Sequence, residues 1–418
     1  MWSIMTERVA VHLRPCESPT SGAGRLSAVM PMLLLAVFLL FSGCSAENPG
    51  NGEEAPERAE PENALAGNGL EYAGGFSIKE FAGFRTLEVR AGVPCNDGLL
   101  SYLLLEPGQP VPEGYDDHIV VRTPVERVAV FSTTHIGFID LLECTDRIIG
   151  VARPEFVNTP SVQERIQDGQ ITEIGMPFSP NLEIILELDP DLIIATALPP
   201  ARRTEYNAII DAGIPVVVVS EWLESSPLGR AEWVKLYAAL FGKEQLAQEK
   251  FRQISDAYHG LRALTRDVAD RPSVISSLPR KDAWFVPGGD SYVAALLRDA
   301  GASYHWSDLK TTGSIKMDIE PVYQVALDAD FWLNPGTVLN LDELLSNDLR
   351  FRDFSSVQHG RVYNNNRLLN PAGGNAYWEF GVVQPERILK DLIMILHPDI
   401  AEREGFQDDS LTFYHLID

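Results

Sequence analysis

The feature that most constrains this chain is one amphipathic stretch near its middle, KEQLAQEKFRQISDAYHGLRAL, from Lys243 to Leu264. Ala247, Phe251, Ile254, Tyr258 and Leu261 recur every three or four positions and draw one apolar stripe down a helical face. Gly242 just before it suits the end of the preceding helix. About 22 residues at roughly 1.5 Å each make a rod of about 33 Å, long for a globular helix and too polar to span a membrane. On each side lies a block in which short apolar strands alternate with amphipathic helices. The stretch therefore predicts a stiff strut, residues 243–264, joining two α/β lobes at residues 67–242 and 265–418. An ordinary core helix inside one large domain is the alternative.

The first 66 residues stand outside that pattern. Met30 to Phe41, MPMLLLAVFLLF, is too short to span a bilayer and suits a signal-peptide core, with Arg14 and Arg25 before it. It runs into Ser42-Gly43-Cys44, which resembles the bacterial lipoprotein signal. That resemblance implies removal of residues 1–43 and a lipid on Cys44; a plain secretory signal is the alternative. Residues 44–66 are rich in Pro, Glu, Gly and Asn without periodicity and read as a flexible tether. The expected location is periplasmic, anchored to a bacterial membrane. A net charge of −25, from 59 acidic and 34 basic residues, argues against nucleic acid or an anionic membrane face as partner. Membrane contact is thus expected through the anchor alone. Beyond Cys44 the exported chain keeps Cys95 and Cys144, too few for a disulfide framework.

From Gly69 to Val121, FSIKEF, TLEVRAG, LLSYLLLE and HIVVR read as β-hairpins packed on the edge of the first lobe. The α/β pattern proper begins at Arg127, with strands at RVAVFS, IIGVA, LIIA and IPVVVVS and helices between them. Such a parallel sheet binds ligands beyond the carboxyl ends of its strands. The residues at those ends include Thr133, Thr134, His135, Arg153, Phe156, Phe178 and Trp222. One arginine, aromatic faces and hydroxyls suit a large, oxygen-rich ligand. No carboxylate pair, Ser/His/Asp order or Cys/His cluster stands out among them.

RVAVFSTTHIGFIDLLECTDRIIGVA, followed by IGMPFSPNLEIILELDPDLIIAT, resembles the periplasmic substrate-binding proteins that feed iron-chelate and cobalamin ABC importers. The resemblance covers roughly Pro124 to Pro398 and is most specific from Asn181-Leu182-Glu183 to Ala195. It implies two doubly wound α/β lobes joined by one long helix, with a ligand cleft between them, to which this chain adds the N-terminal hairpins. It also implies an ABC permease dimer with its ATPase subunits as partner, a monomeric binding protein, and no enzyme activity.

In the second lobe, SVISSLP opens a strand, and Trp284-Phe285 leads to Gly288-Gly289 and a helix that Gly301 closes. Asn364, Asn365 and Asn366 form an amide- and aromatic-rich cluster near the end of the chain together with Asn375, Tyr377 and Trp378. The cleft candidates among them are Asn375, Tyr377 and Trp378, which with Trp284 and Phe285 make up the second-lobe set. MDIEPVYQVALDADFWLNPG echoes the first lobe, since Glu183 precedes Asp191 as Glu320 precedes Asp328. In the resembled family a glutamate on each lobe meets arginines of the permease, which implies docking roles for Glu183 and Glu320.

The expected function is capture of an iron chelate of siderophore type by a lipid-anchored protein. Cobalamin and haem are alternatives on the same scaffold, and haem would look to His135 for an axial ligand. No resident cofactor is expected. Direct metal binding would need about three converging histidines with a carboxylate, and only His135 and His305 look available. An exported hydrolase-like α/β enzyme is the alternative from a different class.

Overall fold

The computed structural model describes residues 69–91, 99–197, 206–281, 283–406 and 408–418. The signal segment 1–43, the tether 44–66, Cys44 and Cys95 lie outside the described residues. Among the described residues, no helix is long and apolar enough to cross a membrane.

The first lobe is built on five parallel strands, ordered Val216–Val219, Leu192–Thr196, Val128–Val130, Ile148–Val151 and Thr172–Glu173. Its strands read as near-continuous β-branched runs because both faces are covered. The two-residue period sorts them: Val128, Val130, Ile194, Val217 and Val219 enter one core. Their neighbours Ala129, Ile193, Ala195, Val216 and Val218 enter a second core on the opposite face. Helices Thr133–Leu141 and Val234–Phe241 cover the first face, while Leu182–Leu188 and Asn207–Asp211 cover the second.

The N-terminal strands form a four-stranded sheet over Phe76–Phe81, Phe84–Arg90, Leu99–Leu105 and Ile119–Arg122. The first three pair antiparallel, but the fourth runs parallel to the third and is not the hairpin partner expected. Its connection turns at Gly108 and Gly114, both in the left-handed region, and so carries the chain back to enter in the same direction. This sheet docks on the edge strand of the lobe, where the Val218 N–H donates to the Tyr102 hydroxyl (3.0 Å). Nearby the Ser220 hydroxyl donates to the Arg90 carbonyl (2.6 Å). An edge that would otherwise offer unpaired backbone groups is thereby covered.

The second lobe orders Ser303–Tyr304, Ser273–Ser276, Phe331–Leu333, Val362–Asn364 and His415–Leu416, parallel except for the last. A separate antiparallel ribbon pairs Ala283–Pro287 with Ser314–Asp318.

The long helix runs from Glu244 to Thr265, 22 residues, after Gly242 caps the preceding helix in the left-handed conformation (φ 68°). Ala247 and Phe251 belong to the first lobe's core, whereas Ile254 and Tyr258 belong to the second's. One stripe thus serves two cores in succession, as a strut requires. The chain also returns beside it. Val382 and Val383, late in the sequence, are buried in the first lobe's core. There helix Ala376–Phe380 lies against Thr133–Leu141, with Gly137 so close that a Cβ would sit 1.9 Å from the Glu379 carbonyl oxygen.

Candidate functional site

A cleft of about 1230 Å³ opens between the two sheets. The first lobe supplies residues just past two neighbouring strands, Phe131 to Thr133 and Ala152, Arg153 and Phe156, together with Met176 to Phe178. The second lobe supplies Ser276 to Leu278, Arg280, Asn334, Asn365 and Asn366 from its own strand ends, with Phe285 and Tyr292. Asn375, Tyr377 and Trp378 complete the wall. Both sets lie at the carboxyl ends of parallel strands, where backbone and side-chain groups are not consumed by the ladder. The volume exceeds that of most drug-sized pockets, so the cleft has room for a large ligand.

Its charge is one-sided. Among the described lining residues, Arg153 and Arg280 are the charged ones, one on each lobe. Arg153 is partly exposed; its Nε donates to Glu155 Oε1 (2.5 Å) and its guanidinium lies 4.2 Å over the Phe156 ring. Stacking and pairing hold the guanidinium in one orientation while leaving part of its fork facing the cleft. Phe178, Phe285, Leu339, Leu369 and Trp378 are large apolar side chains left exposed around the opening. Exposed apolar groups concentrated at a cleft mark a binding surface. On the second lobe, Ser277 (φ 73°) and Asn334 (φ 56°) follow adjacent strands in left-handed turns that present backbone to the cleft. The Asn334 Oδ1 is buried with no partner among the described residues.

Eight of the twelve residues expected at the cleft line it: Thr133, Arg153, Phe156, Phe178, Phe285, Asn375, Tyr377 and Trp378. Asn375 also caps its helix, accepting from the Tyr377 N–H (2.9 Å). The other four lie elsewhere. Thr134 donates its hydroxyl to the Trp378 carbonyl (3.0 Å) and so ties the lobes together beside the cleft. His135 is fully buried, with Nδ1 2.8 Å from the Tyr237 hydroxyl and Nε2 3.3 Å from Thr196 Oγ1. Burial pushes its pKa down to about 3, so it is a neutral core histidine. Trp222 follows the edge strand Val216–Val219 and falls outside the lining, because the cleft is centred over strands further into the sheet.

Trp284 is fully buried; its Nε1 donates to the Ser276 carbonyl (3.0 Å) among Tyr323, Trp332 and Phe351. Strand alternation sends it inward and its neighbour Phe285 outward. Missed from the sequence were Arg280, Tyr292 and Asn334. Asn334 directly follows the second-lobe strand Phe331–Leu333 and Arg280 the turn after Ser273–Ser276, so position past a strand end is the sequence signal that marks these two.

Among the described residues no cluster of three or more His, Cys, Asp or Glu could hold a metal ion. Cys144 is buried, its thiol donating to the Leu142 carbonyl (3.3 Å).

Glu183 and Glu320 are both exposed and each is the second residue of its helix, Leu182–Leu188 and Ile319–Asp328. Glu320 lies 3.4 Å from Arg350. The aspartate that matches Asp191 is Asp330, not Asp328. Asp191 accepts from Glu126 N and Arg127 N at the start of one strand, and Asp330 accepts from Ser273 N at the start of another. The echo between lobes is therefore one of helix position rather than fixed spacing.

Residues 128–366 match the periplasmic binding protein family. An uncharacterized lipoprotein of Methanocaldococcus jannaschii is 28% identical over 71% of this chain and 72% of its own length. A second uncharacterized lipoprotein of that organism is 22% identical over 93% of this chain and 98% of its own length. Among solved structures, one described as a possible iron-binding (periplasmic solute-binding) protein from Staphylococcus epidermidis superposes with a TM-score of 0.52. It is 16% identical, and the match covers 66% of this chain and all of that one.

Proposed function

The chain belongs to the periplasmic binding protein family, a family of solute-binding proteins rather than enzymes, and from that premise we propose that it captures an anionic ferric chelate of siderophore type. It is a substrate-binding protein of the ABC transporter type. The observation that carries the ligand reading is the pair Arg153 and Arg280 on opposite walls of a cleft whose described lining has no carboxylate. In a chain of net charge −25, Arg280 and the part of the Arg153 fork not taken up by its pair with Glu155 make the cleft a local site for an anion. The exposed aromatic and aliphatic side chains around them suit the organic faces of a chelator. A chelate brings its own metal ligands, so the protein needs to supply none. Burial of His135 takes away the histidine that haem would have used.

Residues 67–242 and 265–418 are the lobes in this reading, 243–264 the connecting helix, and Cys44 the lipidated residue after a 43-residue signal. The two relatives described as lipoproteins support the anchor. Glu183 and Glu320, one on each lobe, serve as the contacts for a two-fold symmetric permease. Native mass spectrometry of protein purified from its host tests the ligand. A bound mass that contains iron and carries the isotope pattern of a chelate is expected, and a corrinoid mass would overturn the reading. Cys44→Ala should move the protein from the membrane to the soluble fraction.

A further inference from the structure

The segment that carries Arg153 and Phe156 is held in place from the opposite lobe. Glu379, on the second-lobe helix Ala376–Phe380, is fully buried and lies behind the cleft wall rather than in it. Its carboxylate accepts from Thr159 N (2.8 Å) and Thr159 Oγ1 (2.5 Å) through one oxygen. The other accepts from Asn158 N (2.7 Å) and Asn158 Nδ2 (3.3 Å). These donors sit at the start of helix Pro160–Gln167, whose N-cap Thr159 makes no side-chain bond to its own helix and whose first residue is a proline without an N–H. A carboxylate from elsewhere in the chain thus satisfies the N–H groups of the N-cap residue and of the residue before it, at the positive end of the helix.

A second contact acts on the same segment. Asn370 Nδ2 donates to the carbonyls of Glu155 (3.0 Å) and Val157 (3.1 Å). Gly374 packs so close that a Cβ there would lie 2.2 Å from the Phe156 carbonyl oxygen. Every residue from 155 to 159 is therefore gripped by residues 370–379.

We propose that Glu379, helped by Asn370, is the positioning residue of the ligand site. It latches the first-lobe segment 153–159 to the second lobe and so fixes where the Arg153 guanidinium stands relative to Arg280. The proposal rests on the reading of the cleft as the ligand site, but the latch itself is a property of the unliganded chain. A ligand that bridges the two arginines then meets walls already set at their working separation. Losing the latch raises its dissociation rate more than it changes association, since the groups that touch it remain.

The test uses the full chain with Glu379→Gln and, from the other side of the same bonds, Thr159→Val. Amide hydrogen exchange of residues 153–167 should speed up tenfold or more in both variants, with strands of both sheets unchanged. Dissociation of a ferric tris-catecholate, followed by tryptophan fluorescence, should speed up by a similar factor. Unchanged exchange in 153–167, or a rise spread equally over both cores, overturns the latch. A wild-type chain that ignores the chelate overturns the chelate reading alone, and the exchange result then decides the latch by itself.

Discussion

Replacing Gly137 by alanine should damage this protein far more than a single methyl group suggests. The added Cβ would stand 1.9 Å from the Glu379 carbonyl oxygen and 3.0 Å from its carbonyl carbon. Non-bonded heavy atoms prefer about 3.5–4 Å, so helix Thr133–Leu141 and helix Ala376–Phe380 must separate by more than about 1 Å. Overpacking of this kind costs about 1–3 kcal/mol. Backbone atoms form the obstacle, which puts the cost at the upper end of that range. Moving Glu379 also strains its bonds to Asn158 and Thr159, each worth about 1 kcal/mol. Together these give a loss of about 3–5 kcal/mol.

Gly260 provides the contrast. It lies inside the long helix with open space where a Cβ would go, so alanine there should stabilise by about 0.5–1 kcal/mol. Urea denaturation of the two variants beside the wild type measures both effects. Opposite signs are expected. A Gly137→Ala protein as stable as the wild type would refute the close approach of helices Thr133–Leu141 and Ala376–Phe380.

Further outcomes follow from the site and the cores. Arg153→Ala and Arg280→Ala should each weaken a ferric tris-catecholate about tenfold, roughly 1.4 kcal/mol, by fluorescence titration; unchanged affinity in both removes the anion reading. Trp284→Ala should cost about 3–5 kcal/mol in denaturation while sparing affinity in the folded fraction, and Phe285→Ala should do the reverse. His135 is held at about 3, below the ordinary histidine value near 6.5. Its neutral form therefore contributes stability fully present above about 6.5, lost progressively as pH falls towards about 3. Denaturation midpoints of His135→Gln should fall less between roughly pH 7.5, above that window, and roughly pH 4.5, inside it, than those of the wild type, and an equal fall would contradict this. Glu183→Arg and Glu320→Arg should leave ligand affinity intact while lowering uptake in cells, with the double variant worst; normal uptake leaves them as helix-start carboxylates only.

Much of the fold was legible because burial writes itself into spacing. The β-branched runs of the first sheet and the stripe of the long helix each carry a period that only one local structure satisfies. What spacing does not record is which strand lies at an edge and which face of a ribbon looks into a cleft. Trp222 ends a strand like the others, but that strand is the outermost of its sheet. Trp284 and Phe285 differ by one residue and hence by a whole face. Arg280 sits in a turn with no periodicity to draw attention to it. His135 follows a strand end, yet the first turn of its helix points it back into the core, against Tyr237. The bonds between Glu379 and Thr159 span 220 positions, and nothing in either local sequence announces the other.

The central claim, that the cleft between the lobes takes an anionic chelate between Arg153 and Arg280, is tested most directly by charge at constant shape. Titrating the purified protein with a ferric tris-catecholate, which is anionic, and a ferric tris-hydroxamate of matched size, which is neutral, isolates that variable. Quenching of Trp378, exposed at the cleft wall, gives the readout. The account predicts that the anionic complex binds at least tenfold more tightly, with the advantage shrinking as salt is raised. Equal affinities, or a preference for the neutral complex, would contradict it.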